Sequence, residues 1–528
     1  MQTGCINVKA PDIVELAKFV ISKWSQATPS GWTNAEIQAG DRSASIWWAD
    51  KARELLRKVI SGARYKDGKN KFIVRAPGYK ADGTEAAWAG IIQQGSENGG
   101  SGKYHGDSFV IFPSSTGGSV VTLALGSLGV VGDDLAYVNS YKLARSVAAL
   151  RDYVNVTLLE GQVSAWAKYR PTDANDTSIV SAEYLIGTDN ALKYEIEYYQ
   201  KDIYFAVNME GISEDKAAYI IACMLDLFLL SHGCRKKDNA VELDQYKDVL
   251  FPSQNEEDIL KRLEVRRYVI IEGPPGTGKT RLCSLLADKK DEKNQNYFAK
   301  TWKVQFHPNT TYEQFVGGLF PNDNGSLTFD AKEGPLLQAI AEARGNPNNK
   351  YLLHIDEINR ADLARVLGEA ISLFEPRADY NVSVDLPYKF THFNNAKIEE
   401  MPKNLYVIGT MNSADRSIAI MDIAIRRRFS FYQLYPQRNV VESSLSKIAK
   451  DAFNDLLKIF VECADDRCFK YMPGHSYFIG VKDDAAAKVQ IRFELLPLLR
   501  EYITQGFVDG FAGEVRNYIQ KWDAKCAV

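Results

Sequence analysis

This chain of 528 residues has little of what stapled, exported or membrane-embedded proteins need. Its seven cysteines (Cys5, Cys223, Cys234, Cys283, Cys463, Cys468 and Cys526) are odd in number and scattered, with no C-x-x-C pair and no histidine at zinc spacing. That pattern excludes a disulfide scaffold and a structural zinc site, and reduced thiols are expected. The longest apolar stretch, residues 217–230, is too short to cross a bilayer and contains Asp226, so it reads as a buried helix and no membrane role is expected. The amino terminus lacks the charged start and apolar core of a secretory signal, which leaves a cytoplasmic location as the expectation. Internal repeats and long low-complexity tracts are also missing. A net charge of −3 exerts no strong pull toward any partner, and the 45% apolar and 25% charged fractions are those of an ordinary globular protein. At this length one core rarely organises the whole chain, so two or three domains are expected.

What the chain does have is GPPGTGKT at residues 273–280, which fills every fixed position of the phosphate-binding loop G-x-x-x-x-G-K-[ST]. The loop follows an apolar run, residues 268–272, and precedes RLCSLLA at 281–287, so the pattern predicts strand, loop, helix. Gly273, Gly276 and Gly278 let the backbone curl until successive N–H groups face a phosphate, and the helix that follows adds the positive end of its dipole. Lys279 is placed to reach the β- and γ-phosphates. The Thr280 hydroxyl is placed to take one position on Mg²⁺, a cation that keeps most of its shell as water and phosphate oxygen.

Further along, the apolar run 351–355 ends in Asp356 and Glu357, the pattern of a buried parallel strand delivering carboxylates at its C-terminal tip. Phosphoryl transfer is mostly positioning and charge stabilisation, so one carboxylate, Asp356, is expected to serve the metal and the other, Glu357, the attacking water. His354 reads as a packed strand residue. A third strand, 405–410, runs into Asn412, which can orient water. The segment closes on Arg426, Arg427 and Arg428, which could be arginine fingers reaching a neighbour's nucleotide or a solvated basic helix end.

These motifs, in this order, resemble the McrB branch of the AAA+ motors. The matching segments are IDEINR at 355–360 with the following ADLARVLGE, GTMNSADRS at 409–417, RRRF at 426–429, GHSYF at 474–478, and TYEQFVGG at 311–318 ahead of an inserted hairpin; together they span roughly residues 240 to 480. The resemblance implies an α/β AAA+ P-loop NTPase module, a parallel sheet with a small helical lid. It implies that Gly273, Pro274, Pro275, Gly276, Thr277, Gly278, Lys279 and Thr280 cradle the nucleotide, with Thr280 and Asp356 on Mg²⁺ and Glu357 on water. It further implies that Asn412 is the first sensor, that Asp415 and Arg416 belong to the family signature, and that Arg426 or Arg427 acts across a subunit interface. His475 would sit near the nucleotide from the lid. Ser413 stands where the family often has Thr. Characterised members prefer GTP; no base-reading motif in the sequence decides between GTP and ATP. The implied partners are further copies in a homo-hexameric ring, a McrC-like nuclease subunit, and DNA, with modified cytosine as a candidate target. A MoxR-like remodelling ATPase acting on a protein client is the alternative enzyme.

The pattern divides the chain into an N-terminal α+β domain at 1–210, a helical linker at 211–237, an AAA+ large subdomain at 238–433 and a helical lid at 434–528. Helices are expected at 13–24 and 45–61, strands at 108–112 and 119–125, with a Gly/Ser loop at 95–103 between them. Lid helices are expected at 440–463, 485–505 and 513–522. The 77 positions between Lys279 and Asp356 leave room for an inserted hairpin turning at 322–325, which in a ring would face the pore. Between residues 51 and 80 ten Lys or Arg face two acids, a local charge of +8 in an acidic chain. Lys51, Arg57, Lys58, Arg64, Lys66, Lys69, Lys71 and Arg75 form a candidate phosphate-contact surface, with Trp47, Trp48, Tyr65, Tyr79 and Trp88 available for stacking. The same residues could be the solvated face of an amphipathic helix over core tryptophans, or the domain could be an adaptor or oligomerisation module.

Overall fold

The structure, a computed structural model, describes residues 8–22, 42–76, 88–94, 106–113, 118–126, 138–168, 202–241, 243–252, 254–321, 328–375, 382–414 and 423–527. The chain divides into two compact units, Met1–Leu250 and Phe251–Val528.

Unit 1 is built on a six-stranded antiparallel sheet of β1 (Phe72–Arg75), β2 (Ala89–Gln93), β3 (Asp107–Phe112), β4 (Val120–Leu125), β5 (Ala165–Ala167) and β6 (Ile203–Asn208), in the order β1-β2-β3-β4-β6-β5. Side chains alternate between faces along each strand. Phe109, Ile111, Val121 and Leu123 join the main core, while Val110, Phe112, Val120 and Ala124 form a smaller cluster with Trp166 on the opposite face. Helices α1 (Pro11–Ile21), α2 (Arg42–Ser61), α3 (Tyr141–Asp152) and α4 (Glu214–Ser231) contribute to the main core.

Helix α4 covers most of the stretch expected to be a linker, yet it is part of this core. Twelve of its eighteen residues are buried, because a helix apolar all round can only be accommodated inside. Its one interior charge, Asp226, is met by the Arg64 guanidinium (Nε to Oδ1, 2.8 Å) and the Tyr65 hydroxyl (2.9 Å).

Unit 2 contains a five-stranded parallel sheet: β7 (Tyr268–Gly273), β8 (Lys300–Gln305), β11 (Tyr351–Asp356), β12 (Leu405–Asn412) and β13 (Ser430–Gln433), in the order β8-β11-β12-β7-β13. Its central strands are apolar on both faces because both are covered: Tyr268 and Ile270 enter one cluster, Val269 and Ile271 the other. Strand β13 has no counterpart among the strands the pattern suggests. Between β8 and β11, β9 (Gly317–Pro321) and β10 (Phe329–Glu333) form the expected antiparallel hairpin; its turn at 322–325 and the loop at 95–103 lie outside the described residues.

The C-terminal helices depart from expectation in one place. The single helix expected at 440–463 is two, Arg438–Glu442 and α5 (Lys447–Cys463). Ser446 caps the second by accepting the Ala449 N–H at 3.1 Å and is itself bonded to Asp484 at 2.6 Å. The stretch 485–505 is helical but passes through a π-helical segment, Ile491–Leu495.

Candidate nucleotide site

Because β7, β11 and β12 are parallel and adjacent, their C-terminal tips meet at one end of the sheet. The phosphate loop leaves β7 there. Gly276 and Gly278 have φ of +81° and +83°, a left-handed region that suits glycine and turns successive N–H groups toward one side. The Thr277 hydroxyl pins the loop by donating to Pro274 O at 2.9 Å. Lys279 opens the following helix and donates to Gly273 O and Pro274 O at 2.9 and 3.0 Å. Burial pulls its ammonium down to about 8, against the opposing pull of Glu357 and Asp356, so the three charges share one electrostatic neighbourhood.

Asp356 ends β11 and Glu357 follows it directly, as expected, and the corner they form is strained. Glu357 has φ +52° and ψ +46°, uncommon for a residue with a side chain. Thr410 of β12 supports it by accepting the Glu357 N–H at 3.1 Å and donating to the Asp356 carboxylate. Arg360 lies 3.6 Å from the Glu357 carboxylate. Next door, His354 is 3% exposed, its ring nitrogens meet no hydrogen-bond partner among the described residues, and burial lowers its pKa: it is a packed strand residue.

Asn412 ends β12 in register with Gly273, which brings it to the first glycine of the phosphate loop. Its Oδ1 accepts the Ala414 N–H at 3.1 Å, leaving the amide NH₂ as the side chain's donor end. Asn359 holds the same corner by donating to Asn412 O at 3.3 Å. Asp415 and Arg416 lie outside the described residues. Arg426 and Arg427 are exposed; Arg426 stacks over Phe431 at 4.9 Å and Arg427 lies 3.8 Å from Glu375.

His475 belongs to a short 3-10 turn, His475–Phe478, that lies on the phosphate loop. The N–H groups of Gly474 and Ser476 donate to Pro275 O and Gly276 O at 2.9 and 3.0 Å. His475 is 8% exposed, and burial together with the nearby Arg281 lowers its pKa to about 4, so it is neutral near pH 7.

Thr280 and Asp356 provide one hydroxyl and one carboxylate beside the loop, a donor set that fits Mg²⁺ held mainly through water and phosphate oxygen. Thr410, Asn359 and Gln437, whose backbone N–H donates to His475 Nδ1 at 3.3 Å, carry no role in the motif pattern. For Thr410 there was a signal: a hydroxyl inside an apolar run, two residues before Asn412 and therefore on the same face of the strand.

The basic stretch in unit 1 is rearranged by its neighbours. Arg64 is fully buried on Asp226 and is not a surface cation. Lys51 pairs with Glu54 at 3.1 Å, Lys58 with Glu54 and Glu15 at 2.8 and 3.2 Å, and Lys66 with Asp238 at 3.0 Å. Lys71 donates to Gly233 O at 2.6 Å, and Arg75 lies on edge strand β1. Trp48 and Tyr65 are core residues, and Trp47 and Trp88 are partly buried against the core clusters; Tyr79 lies outside the described residues. What remains is an open cleft of about 660 Å³ between α2 and β1. Among the cations lining it, Arg57 and Lys69 have no acidic partner among the described residues.

Comparison with known proteins agrees with this geometry. Residues 268–429 match the family model described as AAA domain (dynein-related subfamily). The Type IV methyl-directed restriction enzyme EcoKMcrB subunit of Escherichia coli K12 is 36% identical over 281 residues, 49% of this chain and 59% of that protein. The match thus spans less than two thirds of that relative's length. The Type II restriction enzyme BsuMI component YdiS of Bacillus subtilis is 27% identical over 38% of this chain and 68% of its own. Among solved structures, NtrX from Brucella abortus aligns at 12% identity over 58% of this chain and 55% of its own, with a TM-score of 0.23, too slight a likeness to bear on the fold. Its phosphate loop, carboxylate strand and Asn412-bearing strand thus stand in AAA+ order within a segment that matches an AAA domain, and over about half its length the chain is similar to a McrB subunit.

Proposed function

We propose that this chain is the nucleoside-triphosphate-hydrolysing ring motor of a McrBC-like restriction system, acting on foreign or modified DNA through unit 1 and driving a separate nuclease subunit. The observation that carries the enzymatic part is the convergence of Lys279, Asp356, Glu357 and Asn412 at one end of the parallel sheet.

In this reading the triphosphate draws Lys279 from the carbonyls of Gly273 and Pro274 onto its β- and γ-oxygens. Glu357, fixed by Thr410 and by its left-handed backbone, accepts a hydrogen bond from the attacking water. The Asn412 amide donates to that water or to the γ-phosphate. Thr280 and Asp356 would hold Mg²⁺, which when bound would supply charge neutralisation to the phosphates. Arg426 or Arg427, exposed beyond the sheet, reaches the nucleotide of the adjacent copy in a hexamer. A preference for GTP over ATP rests on resemblance to the family.

DNA contact by unit 1 is supported by the cleft with Arg57 and Lys69, two cations left for phosphates. Cleavage is assigned to a McrC-like partner on the resemblance to the family, and among the described residues no group of three or more His, Cys, Asp or Glu is placed to hold a metal ion.

Two measurements test the proposal. Initial rates of GTP and ATP hydrolysis by the full chain decide the nucleotide, and absence of turnover with either, with and without a nuclease partner and DNA, would overturn the motor. Fluorescence anisotropy with duplexes carrying cytosine, methylcytosine or hydroxymethylcytosine, across a salt series, tests DNA reading: discrimination at fixed salt supports it, and no binding to any of them removes it.

A further inference from the structure

Asn359 has no part in the chemistry assigned above, yet it bridges two of the strand tips that carry it. After Glu357 the chain makes a short 3-10 turn, Ile358–Arg360, closed by the Arg360 N–H on Glu357 O at 2.8 Å. This turn lies against β12. Ile358 is fully buried on Gly409, where a Cβ would fall 3.0 Å from Ile358 Cδ1, so the missing side chain is what lets the turn come close. Three residues further along the same strand, the Asn359 side chain donates to Asn412 O at 3.3 Å.

That bond fixes which way the Asn359 amide points. A carbonyl only accepts, so Nδ2 faces Asn412 O and Oδ1 is turned elsewhere. Asn359 is 7% exposed, and its Oδ1 is buried with no hydrogen-bond partner among the described residues. An unpaired buried acceptor is unfavourable, and an apolar side chain at this position would avoid it. The donor end is therefore what the amide contributes here. The residues after Asn412 are held as well: the Ser413 N–H donates to Gly273 O and the Ala414 N–H to Asn412 Oδ1, both at 3.1 Å. A line of contacts thus runs from the turn behind Glu357, through Asn412, to the first glycine of the phosphate loop.

We propose that Asn359 is a positioning residue for the water-orienting amide: by holding the Asn412 carbonyl it keeps the Asn412 side chain in fixed relation to the Glu357 carboxylate, two residues upstream of Asn359. The proposal rests on the hydrolysis reading above. Thr410 acts on the two carboxylates and Asn359 on the amide, so the tips of β11 and β12 are tied at two separate points.

The test uses the full chain with GTP and ATP in the presence of Mg²⁺. Asn359→Ala removes the donor; kcat should fall about tenfold, the size of one hydrogen bond, while the Kd of N-methylanthraniloyl-labelled nucleotide stays within about threefold of wild type. Asn359→Asp, of the same size but without the donor, should lose at least as much. In an Asn412→Ala background, followed by single-turnover rates, adding Asn359→Ala should cost less than about twofold, because the amide it acts through is already gone. Hydrogen exchange reads the position without activity: in Asn359→Ala the Ser413 and Ala414 amides should exchange about fivefold faster, and those of residues 405–409 at the wild-type rate. Wild-type kcat in Asn359→Ala, the same fold-loss with and without the Asn412 side chain, a matching loss of nucleotide affinity, or unchanged exchange at Ser413 and Ala414 would each overturn the positioning role. Absence of turnover by the wild type with either nucleotide instead removes the hydrolysis reading, and the exchange rates then still report whether Asn359 holds the strand tip.

Discussion

The hydroxyl of Thr410 donates to the carboxylate of Asp356 from the neighbouring strand, and the same oxygen accepts the N–H of Glu357 at 3.1 Å. One side chain thus aims one carboxylate and braces the backbone of the next. Thr410→Val, almost the same shape, loses both bonds; turnover should fall about ten- to a hundredfold with a much smaller change in nucleotide affinity. Thr410→Ser should recover most of the rate. Comparing kcat with Kd across the three proteins makes the check, and a Val variant with wild-type kcat would remove the positioning role.

Glu357→Gln keeps the size of the side chain and removes its ability to take a proton. Nucleotide binding should persist while turnover nearly vanishes, a loss of several orders of magnitude at most sites of this kind. Single-turnover kinetics with labelled nucleotide would detect it. Normal turnover would mean that another group activates the water.

Basic residues of unit 1 should fail in two different ways. Arg64→Ala leaves Asp226 buried without its guanidinium and should cost about 3 kcal/mol, the low end for a broken buried pair, since Lys236 at 3.1 Å and Tyr65 at 2.9 Å remain. The double change Arg57→Ala and Lys69→Ala should leave the unfolding midpoint alone. It should instead lower DNA affinity and flatten the log K against log salt slope by about two. Denaturation and anisotropy on both variants distinguish the effects; DNA affinity unchanged by the double change would place the contact elsewhere.

The pKa of His475 near 4, set by burial and by Arg281, gives a signed pH dependence. The unfolded chain takes up this proton near pH 6.5 and the folded one only near 4, so the group costs nothing above pH 6.5. As pH falls between those values the folded state is progressively disfavoured, by up to about 3 kcal/mol. Thermal unfolding of wild type and His475→Gln between pH 7 and 4.5 reads the difference. Parallel pH profiles would show that the imidazole titrates normally in the fold.

Much of unit 2 was legible in the chain. Residues 273–280 specify a phosphate loop because each glycine answers a local backbone demand, and the strands ending in Asp356 and Asn412 declare themselves by apolar runs that a sheet covered on both faces requires. Helix 214–231 was visible as a buried helix, but its membership of the N-terminal core was not, since an apolar surface does not name what covers it.

The sequence by itself determined the local chemistry: the loop, the order of strands carrying carboxylates and amide, and the site for a hairpin. Only the tertiary structure decided which charges are free and which side chains hold the site. Arg64 and Asp226 are 162 positions apart, Thr410 and Asp356 are 54, and Gln437 and His475 are 38. Such pairings are fixed by packing of whole elements. Side-chain periodicity reports which face of an element is buried, and it carries no information about which distant residue lies opposite.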